Sequence, residues 1–174
     1  MYNKYEKVER GEGMKILIDG DGCPVVDLTI DIAKQYGIEV VIFCDTAHMI
    51  DRPGVQTLII QKGMDAVDFM IANQVQKEDI VVTQDYGLAA MILSKKAAAL
   101  NQNGFIYTEG NIDQLLFRRH VVKVARKSGT RLKGPKKRTQ EDNIKFKESL
   151  IRLCEIKGAQ KTCPDDQGKK EEQE

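Results

Sequence analysis

The sequence has no apolar run near the roughly 18 residues that a membrane span requires. No membrane partner is therefore expected. None of its four cysteines (Cys23, Cys44, Cys154 and Cys163) forms a Cys-x-x-Cys pair, and its two histidines, His48 and His120, stand alone. Structural zinc needs closely spaced Cys/His ligands, so no zinc is expected; no nucleotide cofactor is expected either. The first residues, MYNKYEKVERGEG, have no apolar core of the signal-peptide kind. Together with unpaired cysteines, this predicts a reduced, cytoplasmic setting. No internal repeat is visible, and the composition excludes collagen-like, mucin-like and coiled-coil chains.

The 174 residues present suit one α/β domain with short extensions, large enough to form a core without staples. The formal net charge of +1 hides an uneven distribution. Residues 14–117 carry 7 Lys/Arg against 14 Asp/Glu, a net −7. Residues 118–138 carry 10 Lys/Arg and no acid, a net +10. Segregation on this scale asks for a functional account.

Short apolar runs alternate with helical patterns. MKILID (14–19), IEVVIFC (38–44), 55–60 and DIVVT (79–83) read as buried strands, with shorter candidates at 98–100 and 105–107. Helices are predicted from Pro24 to about Tyr36, over 65–75 and over 87–95. A longer helix is predicted over 111–127, capped by Asn111 with Gln114 reaching back. A last one starts at Thr139 and ends near Ile156. The alternation predicts βαβ units and a mainly parallel sheet with helices on both faces. Residues 1–13 read as a flexible extension, 14–157 as the domain, including a basic helix-loop-helix over 111–156, and 158–174 as a disordered polar tail.

Ligands of parallel α/β sheets bind beyond the carboxyl ends of the strands. Asp19 ends the first strand and Asp21 follows in a Gly-Asp-Gly turn; Asp85 lies just past the fourth. Asp65 and Asp68 open the helix after the third strand, three residues apart and on one face. If the first and fourth strands are neighbours, the five acids converge on one rim. Converging carboxylates repel unless a cation compensates them. Mg²⁺ or Mn²⁺ prefers such oxygen ligands and can activate water and stabilise charge on a phosphoryl oxygen. Plainer roles exist: Asp65 as a cap, Asp68 at a helix dipole, Asp21 in its turn. Asp19, an acid directly after a buried strand, is the hardest to explain without a ligand.

Two neighbours of the rim are ambiguous. Cys23 precedes Pro24 at a helix start, where a thiol can be acidified, although a small buried residue is the plainer reading. His48, in DTAHMI, can reach the rim or simply be a solvated loop residue. In the basic stretch, Arg118, Arg119, Lys123, Arg126 and Lys127 lie on the long helix. Arg131, Lys133, Lys136, Lys137 and Arg138 follow in a loop. Helix-end cations are stabilising by themselves, but ten without an acid suggest contact with a phosphate backbone. Aromatics that could stack bases are scarce there, which favours backbone tracking over base readout.

The stretches MKILIDGDGCPV, GMDAVDFMI, DIVVTQDYGLA, LNQNGFIYTEGNID, RRH and GPKKRTQED, in this order, resemble the YaiI/YqxD family of bacterial proteins, whose fold looks like that of PIN-like nucleases. Many members have DADACPV where this chain has DGDGCPV, and Pro where it has Gly87; the aspartates are unaffected. The resemblance implies a three-layer α/β/α fold with sheet order 3-2-1-4-5 and C-terminal helices. It implies a Mg²⁺ or Mn²⁺ site in which Asp19 is the first-strand acid and Asp85 the acid of a T-x-D signature, with Thr83 as its threonine. Asp65 and Asp68 match the helix acids, and Asp21 is an addition typical of the family. The acidic rim and the resemblance together predict metal-dependent phosphodiester hydrolysis, with Asp19, Asp68 and Asp85 as catalytic acids; Cys23 is read as a supporting residue from its position alone. The partner would be nucleic acid, RNA or single-stranded, held by Arg118, Arg119, Arg126, Arg131, Lys133, Lys136, Lys137 and Arg138. Two alternatives stand beside it: a PIN-like module that binds RNA without cutting, and a haloacid dehalogenase-type phosphatase. For the phosphatase, the acidic pair falls on the wrong side of Thr83.

Overall fold

A computed structural model describes residues 13–61, 63, 66–127 and 137–160. Six strands form one sheet in the order β3-β2-β1-β4-β5-β6. They are β1 (Lys15–Asp19), β2 (Glu39–Asp45), β3 (Gln56–Ile60), β4 (Ile80–Val82), β5 (Ala98–Leu100) and β6 (Ile106–Tyr107). The first five run parallel, in the order 3-2-1-4-5, and β6 closes the edge antiparallel to β5. The helices are α1 (Val26–Gln35), α2 (Ala66–Gln74), α3 (Tyr86–Ser94), α4 (Glu109–Lys127) and α5 (Gln140–Gln160).

Because side chains alternate along a strand, the sheet feeds two separate cores. Leu17, Val41, Phe43, Val81 and Ala99 pack with Val67 and Ile71 of α2, Leu88 and Ile92 of α3, and Ile112 of α4. Ile16, Ile18, Ile42, Ile80, Val82 and Leu100 pack with Val26 and Ile30 of α1 and with Phe146, Leu150 and Leu153 of α5. The result is three layers, α/β/α. Strands buried on both faces explain why β1, β2 and β4 read as unbroken apolar runs rather than alternating ones. At the amino edge, buried charge is matched. Lys15 Nζ meets both Glu39 oxygens at 2.9 Å, and the Asp79 carboxylate accepts from the Lys15 N–H at 2.9 Å and the Gln76 N–H at 2.8 Å.

The ends of several elements differ from the sequence-based boundaries. Pro24 lies in the turn ahead of α1, which starts at Val26. β2 continues through Asp45, because Asp45 still pairs with Ile60 of β3. α4 begins at Glu109, so Asn111 is not its cap. Asn111 sits in the first turn and reaches back to the Thr108 N–H at 3.0 Å, the role foreseen for Gln114. Thr139 does cap α5: its hydroxyl accepts from the Asp142 N–H at 3.3 Å, and the Asp142 carboxylate accepts from the Thr139 N–H at 2.8 Å. This reciprocal pair is a capping box with Asp at the third position. α5 passes through Gly158, the predicted start of the tail, and runs to Gln160. Residues 1–12 and 161–174 fall outside the described residues.

Two features place the C-terminal helices. The β5–β6 turn meets α5 at Gly104, whose φ is +79°; a Cβ there would overlap the Lys145 carbonyl and lie 2.9 Å from the Phe146 nitrogen. Only glycine permits this approach. α4 is anchored by Ile112, but further along the helix Phe117 (71% exposed), Val121 and Val124 stand in solvent. Its basic half therefore rides over the body rather than packing into it. Among the described residues no helix is long and apolar enough to cross a membrane.

Candidate functional site

Parallel pairing places the ends of β1, β2 and β4 side by side, and with them Asp19, Asp45 and the Thr83-Gln84-Asp85 segment. The rim has two halves. In the first, the buried Thr83 hydroxyl donates to Asp19 Oδ2 at 2.7 Å and accepts from the Asp85 N–H at 3.0 Å. One hydroxyl thus ties the strand-end acid of β1 to the acid beyond β4. The T-x-D spacing has a local cause. Asp85 is the extended N-cap of α3, and its Oδ1 accepts from the Gly87 N–H at 2.6 Å and the Leu88 N–H at 3.0 Å. Capping fixes the carboxylate by one oxygen. The other, Oδ2, lies 2.9 Å from Arg119 Nη1 of α4.

Asp19 is the least compensated acid of this half. Burial raises its pKa above the ordinary value; hydrogen bonds from Thr83 and from the Asp21 backbone offset part of this, while the charges of Asp21 and Asp85 push it further up. An anion that is desolvated and flanked by like charges is the setting in which a cation binds favourably.

The second half lies over β2. The turn after β1 uses a left-handed Gly22, φ +69°, and Asp21 Oδ1 accepts from the Asp45 N–H at 3.2 Å. Asp45 Oδ1 accepts from the Ala47 N–H at 2.8 Å, the His48 N–H at 2.9 Å and, in the appropriate tautomer, His48 Nδ1 at 3.0 Å. Burial works against the Asp45 carboxylate, but bonds from His48 and Ala47 outweigh it and its pKa falls. One ligand atom from each of Asp21, Asp45 and His48 lies within 4.8 Å of the others, so this acidic group could bind a metal. Spacing favours this half; the desolvated charge of Asp19 favours the first, whose other acid, Asp85, is already met by the α3 cap and Arg119.

Of the predicted site residues, Asp19, Asp21, Asp85 and Thr83 share the rim. Asp68 lies half-buried in the first turn of α2, which starts at the same edge because β3 runs parallel to β1. Asp65 lies outside the described residues. Cys23 is no acidified thiol: burial pushes it up to about 11. Arg118, Arg119 and Lys137 are exposed. Arg138 spans the β5–β6 turn and α5, donating from Nη1 to Asn103 Oδ1 at 3.0 Å and from Nε to Asn143 Oδ1 at 2.8 Å. Its Nη2 is buried without a partner among the described residues, and its charge reaches Cys23, four residues beyond Asp19. The Arg126 side chain, Arg131, Lys133 and Lys136 lie outside the described residues. Sequence reasoning missed Asp45. It also missed that Arg119 touches an acid of the rim.

Residues 17–156 match the family described as "Uncharacterized BCR, YaiI/YqxD family". Similar curated proteins include the UPF0178 protein of Exiguobacterium sibiricum, 54% identical over 140 residues, covering 80% of this chain and 96% of that one. The UPF0178 protein of Clostridium kluyveri is 47% identical over 140 residues, covering 80% and 92%. Among solved structures, the crystal structure of a Rae1 (YacP) variant from Bacillus subtilis aligns with 14% identity and a TM-score of 0.40, over 85% of this chain and 99% of that one. On the family match and these relatives, the chain belongs to the YaiI/YqxD family.

Proposed function

We propose that the chain is a divalent-cation-dependent nuclease acting on RNA or single-stranded nucleic acid. The observation that carries this reading is Asp19, a desolvated carboxylate held by Thr83 and raised further by Asp21 and Asp85. Asp19 and Asp85, with Asp21 and Asp68 from the same edge, would supply oxygen donors of the kind Mg²⁺ or Mn²⁺ prefers. When bound there, the ion would supply an activated water and neutralise charge on a phosphoryl oxygen.

The remaining work falls to the protein's own side chains. Thr83 orients Asp19 and the Asp85 backbone together. The α3 cap holds Asp85 in place with or without an ion. Arg119 brings a guanidinium group from the basic C-terminal helix, where it can pair with phosphate, while Arg138, held by Asn103 and Asn143, adds its charge at longer range. The exposed Arg118 and Lys137, with Arg126, Arg131, Lys133 and Lys136, would extend that contact electrostatically. The test is purified protein with Mn²⁺ and end-labelled RNA and DNA, beside Asp19→Asn. Cleavage by the wild type alone supports the reading, and equal background cleavage by both removes it.

One observation favours a second reading. Arg119 occupies the outer oxygen of Asp85, as it would in a scaffold that binds RNA without cutting. That reading predicts salt-sensitive RNA binding that requires neither Asp19 nor a cation.

A further inference from the structure

Arg119 is a basic residue paired with a proposed cation ligand. Asp85 does not need the guanidinium for orientation, because its Oδ1 is already fixed by two N–H groups of α3. Arg119, for its part, spends one of its five N–H donors on Asp85, and among the described residues it makes no other hydrogen bond. The pair is half open to water, with side-chain exposures of 55% for Arg119 and 30% for Asp85. It can therefore exchange partners at little cost.

The surroundings show where the guanidinium can go. Arg119, Lys123 and Lys127 are spaced four apart on α4, so they share one face and span about 12 Å along it. With Leu116, His120 and Val122 they line an open hollow of about 590 Å³. A row of cations leading away from Asp85 along an open hollow matches a phosphodiester backbone.

We propose that Arg119 is a charge-exchange latch: it neutralises Asp85 while no cation is bound, and passes to a phosphate of the nucleic-acid backbone when a cation takes its place. Arg119 is thus a positioning residue that couples two binding events. It is expected to weaken cation binding to the free protein and to strengthen it once a phosphodiester strand is seated on the Arg119–Lys123–Lys127 row. Because coupling is reciprocal, Mn²⁺ should tighten strand binding by the same factor. The inference rests on the cation site of the proposed function.

The experiment measures Mn²⁺ affinity by the EPR signal of the free ion, with and without a short fluorescent 2′-O-methyl oligouridine that resists hydrolysis. Wild type, Arg119→Gln, Arg119→Lys and Asp19→Asn are compared. Without oligonucleotide, Arg119→Gln should bind Mn²⁺ up to about fivefold more tightly than wild type, the size expected for losing an exposed ion pair. It should bind the oligonucleotide more weakly, and Mn²⁺ should no longer tighten that binding. Arg119→Lys should restore part of the coupling. Equal Mn²⁺ affinity in wild type and Arg119→Gln, with binding lost in Asp19→Asn, overturns the latch and leaves the cation site standing. No Mn²⁺ binding by any of the proteins removes both.

Discussion

The two halves of the rim hold the same kind of side chain in opposite conditions. Over β2, Asp45 is met by two N–H groups and by His48 within its own turn, and its pKa falls. Over β1 and β4, Asp19 accepts from the Thr83 hydroxyl and from the Asp21 backbone, yet it is desolvated and faces like charges, and its pKa rises. Under the proposed function, closeness of carboxylates does not by itself identify a cation site. On that reading, the site lies where a carboxylate is left desolvated among like charges, as Asp19 is. The amino edge of the sheet makes the same point, since its buried Lys15 and Asp79 are matched at short range.

The sharpest way to break this comparison is to neutralise one acid in each half. Asp19→Asn should lower Mn²⁺-dependent RNA cleavage by about 10³-fold or more, the scale seen when a key electrostatic group is lost. Asp45→Asn should lower it by less than about tenfold; similar losses in a gel assay would erase the distinction between the halves. Thr83→Val should come between them, at about tenfold, because one charged hydrogen bond is lost while shape is kept.

Thermal stability gives the next effect. Mn²⁺ at about 100 times its dissociation constant should stabilise the wild type by about 2.7 kcal/mol. That is several degrees in Tm by scanning calorimetry, with no shift in Asp19→Asn and a nearly full shift in His48→Ala. A full shift in Asp19→Asn together with its loss in His48→Ala would move the site to β2.

The smallest effect concerns the cation-free protein. A carboxyl whose pKa is raised by folding favours the folded state in its protonated form. Its stabilising contribution is present at low pH and is lost as pH rises through the raised value. Charged Asp19 is therefore a cost at neutral pH, and Asp19→Asn should raise Tm at pH 7 by on the order of 2–4 °C. The advantage should shrink as pH falls toward about 4, the ordinary carboxylate range. A gain that does not change with pH would assign the effect to packing instead.

Much of this was legible in the sequence because it is written locally. Unbroken apolar runs ending in Asp19 and at Thr83 located β1, β4 and the rim, and alternation with helices fixed a parallel sheet. The resemblance supplied the order 3-2-1-4-5, which the sheet adopts. Asp45 was missed because the apolar run stops at Cys44, and only pairing with Ile60 carries β2 one residue further. The Arg119–Asp85 pair joins residues 34 apart in sequence. Its position on a basic helix announced a charge, not the acid that the charge would meet. Asp85 as a helix cap was also foreseeable, since Asp before a helical run is a strong start signal, but its place after a strand drew attention to a ligand role alone.

The position of Mn²⁺ in crystals of the protein, located by anomalous scattering, tests the cation site most directly. The expected result is a peak at Asp19 and Asp85, with the Arg119 guanidinium displaced. A peak held by Asp21, Asp45 and His48 alone, with the Arg119–Asp85 pair intact, would contradict it.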